Sequence, residues 1–378
     1  MTPRGRLDIT FYALFKGICL CLAELFGIGL SETPEDNDEN ALSCLSVRTG
    51  FDLILRSLNL EPGSALLMTN INIPDMFSIV ASHQLVTIPL PVDKHTLGIS
   101  VAQLEVSITP GTKALLITHL FGAIMDIDAV VEIAKLHNLI VIEDCAQAFN
   151  GVYKGHPQTD VVMFSFGLIK TNTSVTGALL LFNNQKLHNK VKMLNDQLPM
   201  QHTQIYLKKV IKAFAIQVIT LKLLYTILCN YCRVASKDID IVLAGFTRGF
   251  PGADVMSKIR FRPCMANLQL MRMRNFNFSA DRITMRTKVA KSIIQMIPDS
   301  MKIGCLNAGH TYWVLPMDSE NPEELIKNLR KKGIDATAKA SSLVRCGIVG
   351  PSTEDELVLD NLVYLPVALE VVNKLPGL

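Results

Sequence analysis

Residues 141–171 read VIEDCAQAFNGVYKGHPQTDVVMFSFGLIKT. An apolar β-type run ends on two carboxylates, Glu143 and Asp144, a turn-forming segment follows, and a second apolar run ends near Lys170. That lysine is the one charged residue between 161 and 182. A lysine in such a run either snorkels from a turn with its stem on apolar surface or is kept there with a lowered pKa, ready to form an imine. The stretch by itself leaves both readings open.

The same rhythm extends upstream. Helical patterns near 48–60, 74–83, 100–107 and 126–137 alternate with β-type runs at 65–69, 85–88, 114–118 and 139–143, with a turn at Pro62–Gly63. This alternation predicts an α/β fold with a mostly parallel sheet covered by helices on both faces. Such sheets bind ligands at the carboxyl ends of their strands, where Glu143 and Asp144 lie. Residues 200–300 are helical and basic in pattern. From about 310, TYWVLPM reads as a strand, NPEELIKNLRKKG as a helix and the rest as short strands, which predicts a smaller α+β domain. The acidic segment 31–40, SETPEDNDEN, has no apolar periodicity and reads as a loop.

Composition narrows the function. The 378 residues can bury a large core, and 37 basic against 34 acidic residues give a net charge of +3, which provides no strong field for nucleic acid. The nine cysteines are scattered and several sit in apolar runs, as reduced thiols do; this favours a cytoplasmic setting. The CxxC formed by Cys229 and Cys232 has no second pair or nearby histidine, so no metal site is expected. The apolar fraction is 49%. Residues 11–30 and 213–232 are near spanning length, but Lys16 and Glu24 interrupt the first and Gln217 and Lys222 the second, against a transmembrane reading. Peripheral membrane contact, helped by Lys208, Lys209 and Lys212, and burial against the protein or a partner subunit are the two readings left.

Pyridoxal phosphate chemistry needs a lysine for the imine, a carboxylate for the pyridine nitrogen, and hydroxyl and backbone donors for the phosphate, preferably at a helix N-terminus. All three occur here. VIEDCAQA, Tyr153-Lys154-Gly155 and FSFGLIK, preceded by HLFGAIMDIDAVVEIAKLHNL (119–139) and LSVRTGFDLILRSLNLEPGSALL (45–67), resemble the DegT/DnrJ/EryC1/StrS family of sugar aminotransferases, which have the fold-type I PLP-dependent architecture.

The resemblance implies that Lys170 forms the imine with pyridoxal 5'-phosphate and Asp144 pairs with the pyridinium nitrogen. Gln147 then lies near the ring's 3-hydroxyl side, and Ser165, Arg48 and Thr49 bind the phosphate. It further implies a homodimer, an amino donor such as glutamate, and a nucleotide-linked keto sugar as acceptor. Dehydratase relatives have a histidine where Lys170 stands, so the lysine argues for transamination. The expected organisation is an N-terminal apolar helix and acidic loop (1–40), a PLP-binding large domain (41–200), a hydrophobic helical insertion (201–256) and a small C-terminal domain (257–378).

The departures are specific. Val47 replaces a small residue of the phosphate loop, and Ile73 stands where an aromatic usually stacks on the ring. Arg260-Phe261-Arg262 replaces an Asn-x-Arg that reaches across the dimer, with Arg262 the residue expected to keep an anion contact. DATAKASSL after Gly333-Ile334 replaces a substrate-contacting segment. Val47, Ile73 and Arg260 favour an alternative, a catalytically impaired protein of the same fold that binds a ligand or scaffolds at a membrane.

Overall fold

The computed structural model describes residues 1–29, 38–235, 240, 254–338, 342–347 and 355–375. Most of the acidic loop, residues 236–239 and 241–253 of the expected insertion, and 339–341 of the DATAKASSL segment lie outside them. In chain order the first elements are α1 (Phe11–Leu25), β1 (Ala41–Cys44), α2 (Val47–Leu58), β2 (Ala65–Thr69), β3 (Ile71–Asn72), α3 (Pro74–Ser82), β4 (Val86–Leu90), α4 (Val101–Ser107) and β5 (Thr112–Thr118). Then come β6 (Ala123–Ile124), α5 (Asp128–Leu136), β7 (Ile140–Asp144), β8 (Val161–Ser165), β9 (Ala178–Phe182), α6 (Gln185–Asp196), α7 (Thr203–Ile219) and α8 (Lys222–Val234). The C-terminal third holds α9 (Met256–Ile259), α10 (Met265–Phe276), α11 (Asp281–Ile294), β10 (Gly309–His310), β11 (Leu315–Asp318), α12 (Pro322–Lys331), β12 (Val344–Arg345), β13 (Leu362–Leu365) and α13 (Leu369–Val372).

The main sheet has seven strands in the order β1-β9-β8-β7-β5-β2-β4. Strands β4, β2, β5, β7 and β8 are parallel, and β9 and β1 add an antiparallel edge. Successive residues of a strand point to opposite faces, and the core is sorted accordingly. Leu66, Met68, Ala114, Leu116 and Ile142 pack with α2 and α3 on one face, whereas Leu67, Leu115, Ile117 and Val141 pack with α4 and α5 on the other. This alternation sends Asp144 to the α2 face and Glu143 to the α5 face.

The C-terminal residues form their own core, where α11, α12 and α13 pack on the antiparallel pair β11 and β13. Two short antiparallel pairs, β10 with β6 and β12 with β3, join this part to the strand ends of the main sheet. The run read as one strand, TYWVLPM, is broken. Tyr312 has φ +47°, its N–H donates to His310 Nδ1 at 2.8 Å, and its ring stacks on His310 at 3.9 Å, so extended structure resumes only at Leu315.

Three of the four polar residues that interrupt the two long apolar stretches, Glu24, Gln217 and Lys222, have partners in the fold, while Lys16 is exposed. Glu24 accepts from the N–H groups of Met265 and Ala266 at 3.1 and 2.9 Å, capping α10 and placing a negative charge at its N-terminus. Gln217 Nε2 donates to the carbonyl of Ile9 at 2.6 Å, and Lys222 lies 3.7 Å from Glu370. Helix α1 packs on α7 and α10, close enough that a Cβ at Gly17 would lie 3.1 Å from Leu270 Cδ2. Among the described residues no single helix is long and apolar enough to cross a membrane; α7 and α8 pass that test only as a pair bent by 86°. All nine cysteines are free thiols.

Candidate active site

Lys170 sits in the loop that links β8 to β9, just past the carboxyl end of β8. Its ε-amine lies 4.1 Å from the centroid of the Trp313 ring, a cation–π distance. The Trp313 indole N–H donates to the carbonyl of Ile169 at 3.0 Å, which fixes the ring over the lysine. Burial lowers the pKa of Lys170 to about 8; Asp144 works against this shift and Arg48 adds to it. At neutral pH a usable fraction of the amine is therefore unprotonated, as an imine-forming lysine requires.

Asp144 ends β7, buried, with Oδ1 accepting from the Ala146 N–H at 2.9 Å. Burial raises its pKa, while the Ala146 N–H, Lys170, His119 and Arg48 pull it back towards the ionised form. Lys170, Asp144 and Arg48 thus act on one another electrostatically, although they come from the loop after β8, the end of β7 and the first turn of α2. The sheet alternation produces this grouping, because α2 covers the face to which Asp144 points.

The neighbouring carboxylate, Glu143, has a different set of partners. It accepts from His119 Nε2 at 3.0 Å, the Tyr153 hydroxyl at 2.6 Å and the His156 N–H at 2.7 Å. Burial works to raise its pKa, but these three donors outweigh it and hold the carboxyl below its ordinary range. His119 Nδ1 accepts from the Met125 N–H at 3.0 Å, so the ring proton lies on Nε2, facing Glu143. Cys145 completes a buried trio with His119 and Glu143 within 4.8 Å. Both imidazole nitrogens are already engaged, and burial keeps the thiol protonated. The trio braces the end of β7, leaving Asp144 to face the site.

The other expected site residues fall in two groups. Ser165 ends β8 and its Oγ accepts from the Gly167 N–H at 3.3 Å, which leaves the hydroxyl proton free to donate. A Cβ at Gly167 would lie 3.5 Å from Ser165 Oγ and 3.9 Å from Lys170 Cγ, so this glycine leaves open the space between the two side chains. Gln147 Oε1 accepts from the Phe121 N–H at 2.7 Å, fixing its amide beside the carboxyl ends of β5 and β7. Arg48 pairs with Asp75 at 2.5 Å. Thr49 is committed elsewhere: its N–H donates to the capping Ser46 Oγ at 3.1 Å and its hydroxyl to the Ile259 carbonyl at 2.8 Å. Ile73 precedes α3 and packs against the main core, its N–H donating to Asn72 Oδ1. Arg262 Nε donates to the Leu198 carbonyl at 3.0 Å. Arg260 forms two 3.0 Å hydrogen bonds to buried Asp52.

The loop after Lys170 is held in a strained path. Val175 has φ +74°, a costly region for a β-branched residue. Its surroundings enforce it: the Tyr206 hydroxyl donates to the Ser174 carbonyl at 2.8 Å, Asn267 Nδ2 to the Thr176 carbonyl at 2.9 Å, and Arg274 Nε to the Thr173 carbonyl at 3.2 Å. Arg286 reaches the Thr311 carbonyl at 2.7 Å and the Thr171 hydroxyl at 3.3 Å. Burial lowers its pKa to about 10, with Arg282 contributing.

Sequence reasoning assigned no role to Trp313, His119 or Arg286. Trp313 is the only tryptophan in the chain, and His119 opens a stretch quoted for its motif, so a signal existed for both. Nothing in the sequence marks Arg286 among its basic neighbours.

Comparisons with known proteins agree with this geometry. Residues 36–219 match the DegT/DnrJ/EryC1/StrS aminotransferase family. GDP-perosamine synthase of Caulobacter vibrioides is 31% identical over 162 residues, which cover 42% of this chain and 44% of that protein. The chain therefore spans less than half the length of this curated relative. The sugar aminotransferase CalS13 from Micromonospora echinospora superposes with a TM-score of 0.63 at 17% identity, covering 99% of both chains. NtdA from Bacillus subtilis, solved with its cofactor PMP bound, gives 0.66 at 15% identity over 97% of this chain and 81% of its own. At these identities the structures establish the fold, which this chain shares with both proteins. Over residues 36–219 the chain is similar to the DegT/DnrJ/EryC1/StrS aminotransferase family.

Proposed function

We propose that this chain is a pyridoxal 5'-phosphate-dependent aminotransferase that moves an amino group from an amino acid, glutamate by family analogy, to a nucleotide-linked keto sugar. The observation that carries this is the convergence of a depressed lysine amine, a buried carboxylate and a guanidinium at one end of a parallel sheet. These residues fit the cofactor's needs. Lys170 offers the amine, Asp144 the carboxylate for the ring nitrogen, Gln147 an amide beside the ring, and Ser165, Arg48 and the N-terminus of α2 the donors for a phosphate. Thr49, whose N–H and hydroxyl are taken by Ser46 and Ile259, secures the first turn of α2 instead of donating to the phosphate.

Bound there, pyridoxal phosphate supplies an electron sink for the substrate's α-carbon and carries the amino group between the two half-reactions. The chain contributes position and protons. Lys170 Nζ, half-buried beneath Trp313, takes a proton from the donor's α-carbon and returns protons to the acceptor. Asp144 keeps a negative charge below the site, and the Glu143 trio prevents β7 from yielding as that charge is desolvated. Trp313 excludes water from the amine. Incubation with glutamate and cofactor releases 2-oxoglutarate on this reading, and Lys170→Ala abolishes the release; equal release by that variant overturns it.

The domain limits 41–200, 201–256 and 257–378 and the homodimer remain part of this proposal. Apolar side chains left exposed on α1, just past its end and on α8, among them Phe15, Phe26, Leu223 and Ile227, suit a second copy of the chain, with Arg262 reaching across it. A membrane surface is the competing occupant. Sedimentation with and without anionic vesicles separates the two.

A further inference from the structure

A cavity of about 350 Å³ lies between the N-terminal segment and helices α7, α10 and α11. It is lined by residues 6–11, Gln217, Arg274 and Arg282, and none of these belongs to the proposed cofactor site. Three arginines, Arg6, Arg274 and Arg282, and one carboxylate, that of Asp8, line it, and Arg274 and Arg282 lie at that carboxylate. Among the described residues Arg6 has no ion pair or hydrogen bond. Thr10 caps α1 at the same wall, its side chain accepting from the Ala13 N–H at 3.1 Å, so the positive end of a fifteen-residue helix also points here. Burial lowers the pKa of both Arg274 and Arg282. The excess positive charge, the helix end and the room between them favour an oxyanion.

The cavity wall is joined to the loop that follows Lys170. Asp8 Oδ2 accepts from the Asn172 N–H at 3.0 Å, while Oδ1 pairs with Arg282. Arg274 donates from one end of its guanidinium to the Asp8 carbonyl at 2.6 Å and from the other to the Thr173 carbonyl at 3.2 Å. Asn172 and Val175 both have positive φ, +56° and +74°, so this loop keeps its path because such contacts hold it.

We propose that the cavity binds the phosphate group of a small metabolite, and that Asp8 relays its occupancy to the Lys170 loop. An oxyanion between Arg6 and Arg282 draws Arg282 off the Asp8 carboxylate. Asp8 is then left with the Asn172 N–H and Arg274, and its bond to the loop strengthens. The loop tightens, and Trp313, held on the carbonyl of Ile169 and over Lys170, changes its surroundings.

The sole tryptophan gives a direct readout. Inorganic phosphate, and separately a nucleoside diphosphate, are titrated into the full chain up to roughly 10 mM, weak binding on the affinity scale, at constant ionic strength. Tryptophan emission and melting temperature are followed. A saturable shift in both is expected. It should weaken about tenfold or more, equivalent to 1.4 kcal/mol, in Arg6→Ala and in the Arg6→Ala/Arg282→Ala pair, while persisting in Arg48→Ala. Arg6 is exposed and unpaired among the described residues, so its variant tests binding even if the double variant folds poorly. Tighter binding of the diphosphate identifies an ester as the ligand, and equal binding identifies the free ion; both support the proposal. No saturable response, or a response lost in Arg48→Ala and kept in Arg6→Ala, overturns it. The latter result would put the anion at the cofactor's end of the molecule and leave the proposed function untouched.

Discussion

The ε-amine of Lys170 rests 4.1 Å from the centroid of the Trp313 ring, and the indole N–H of Trp313 donates to the carbonyl of Ile169, the residue before that lysine. A side chain from the C-terminal part of the molecule thus covers the amine and holds the backbone beside it. The cation–π contact contributes roughly 0.5–2 kcal/mol to the charged amine, while the burial that Trp313 provides works in the opposite direction. Burial is the larger effect, since the pKa of Lys170 is lowered to about 8.

Trp313→Ala should therefore raise the pKa of Lys170 towards the ordinary lysine value, because water enters where the indole lay, whereas Trp313→Phe should keep it low. The pH dependence of acylation of Lys170, followed by mass spectrometry, reads this directly. A lower pKa in Trp313→Ala would mean that the indole acts mainly through its electrons.

Asp144→Asn separates two roles of the carboxylate. Asp144 raises the pKa of Lys170 against the effect of burial, so its neutralisation should bring the acylation midpoint below about 8 and leave more free amine at neutral pH. Transamination should nonetheless fall by about a hundredfold or more, since a charge preorganised in the site is lost. A midpoint that moves upward would contradict the electrostatic grouping.

Glu143 gives a pH dependence of stability with a definite sign. Its folded pKa lies below the ordinary glutamate value, so its contribution is present above that value and is lost as the pH falls through the folded pKa. Glu143→Gln should cost about 3 kcal/mol, because His119, Tyr153 and the His156 N–H lose a buried charged acceptor. It should also flatten the acid limb of the melting-temperature profile. An unchanged acid limb in the variant would show that other carboxylates set it.

Gly155→Ala should destabilise by about 2 kcal/mol or more. Gly155 has φ +97°, and a Cβ there would fall 2.1 Å from Val162 Cγ2 on β8. Calorimetry tests this, and a melting temperature within a degree or so of wild type would contradict it.

Much of the sheet could be read directly from the chain because its strands are buried on both faces. ALLMT and the other apolar runs stand out between helical patterns, and β2, β5 and β7 fall within two residues of the expected positions. The site lysine and carboxylate were legible because charge is rare in such runs. What stayed hidden depends on neighbours distant in sequence. The β10–β6 and β12–β3 pairs join segments far apart in the chain. Tyr312 leaves the extended path through a stacked histidine that no periodicity signals. Glu24 and Gln217 read as interruptions of apolar stretches, whereas folding makes one a cap for α10 and the other a tie for the N-terminal segment. Trp313 reaches Lys170 only once the C-terminal strands return to the main sheet.

The most direct test of the central claim is borohydride reduction of the protein incubated with pyridoxal phosphate, followed by peptide mass mapping. A phosphopyridoxyl group on Lys170 at close to one per chain, absent from other lysines, is the expected result. Scattered, substoichiometric labelling of surface lysines with Lys170 untouched would contradict the assignment of the site.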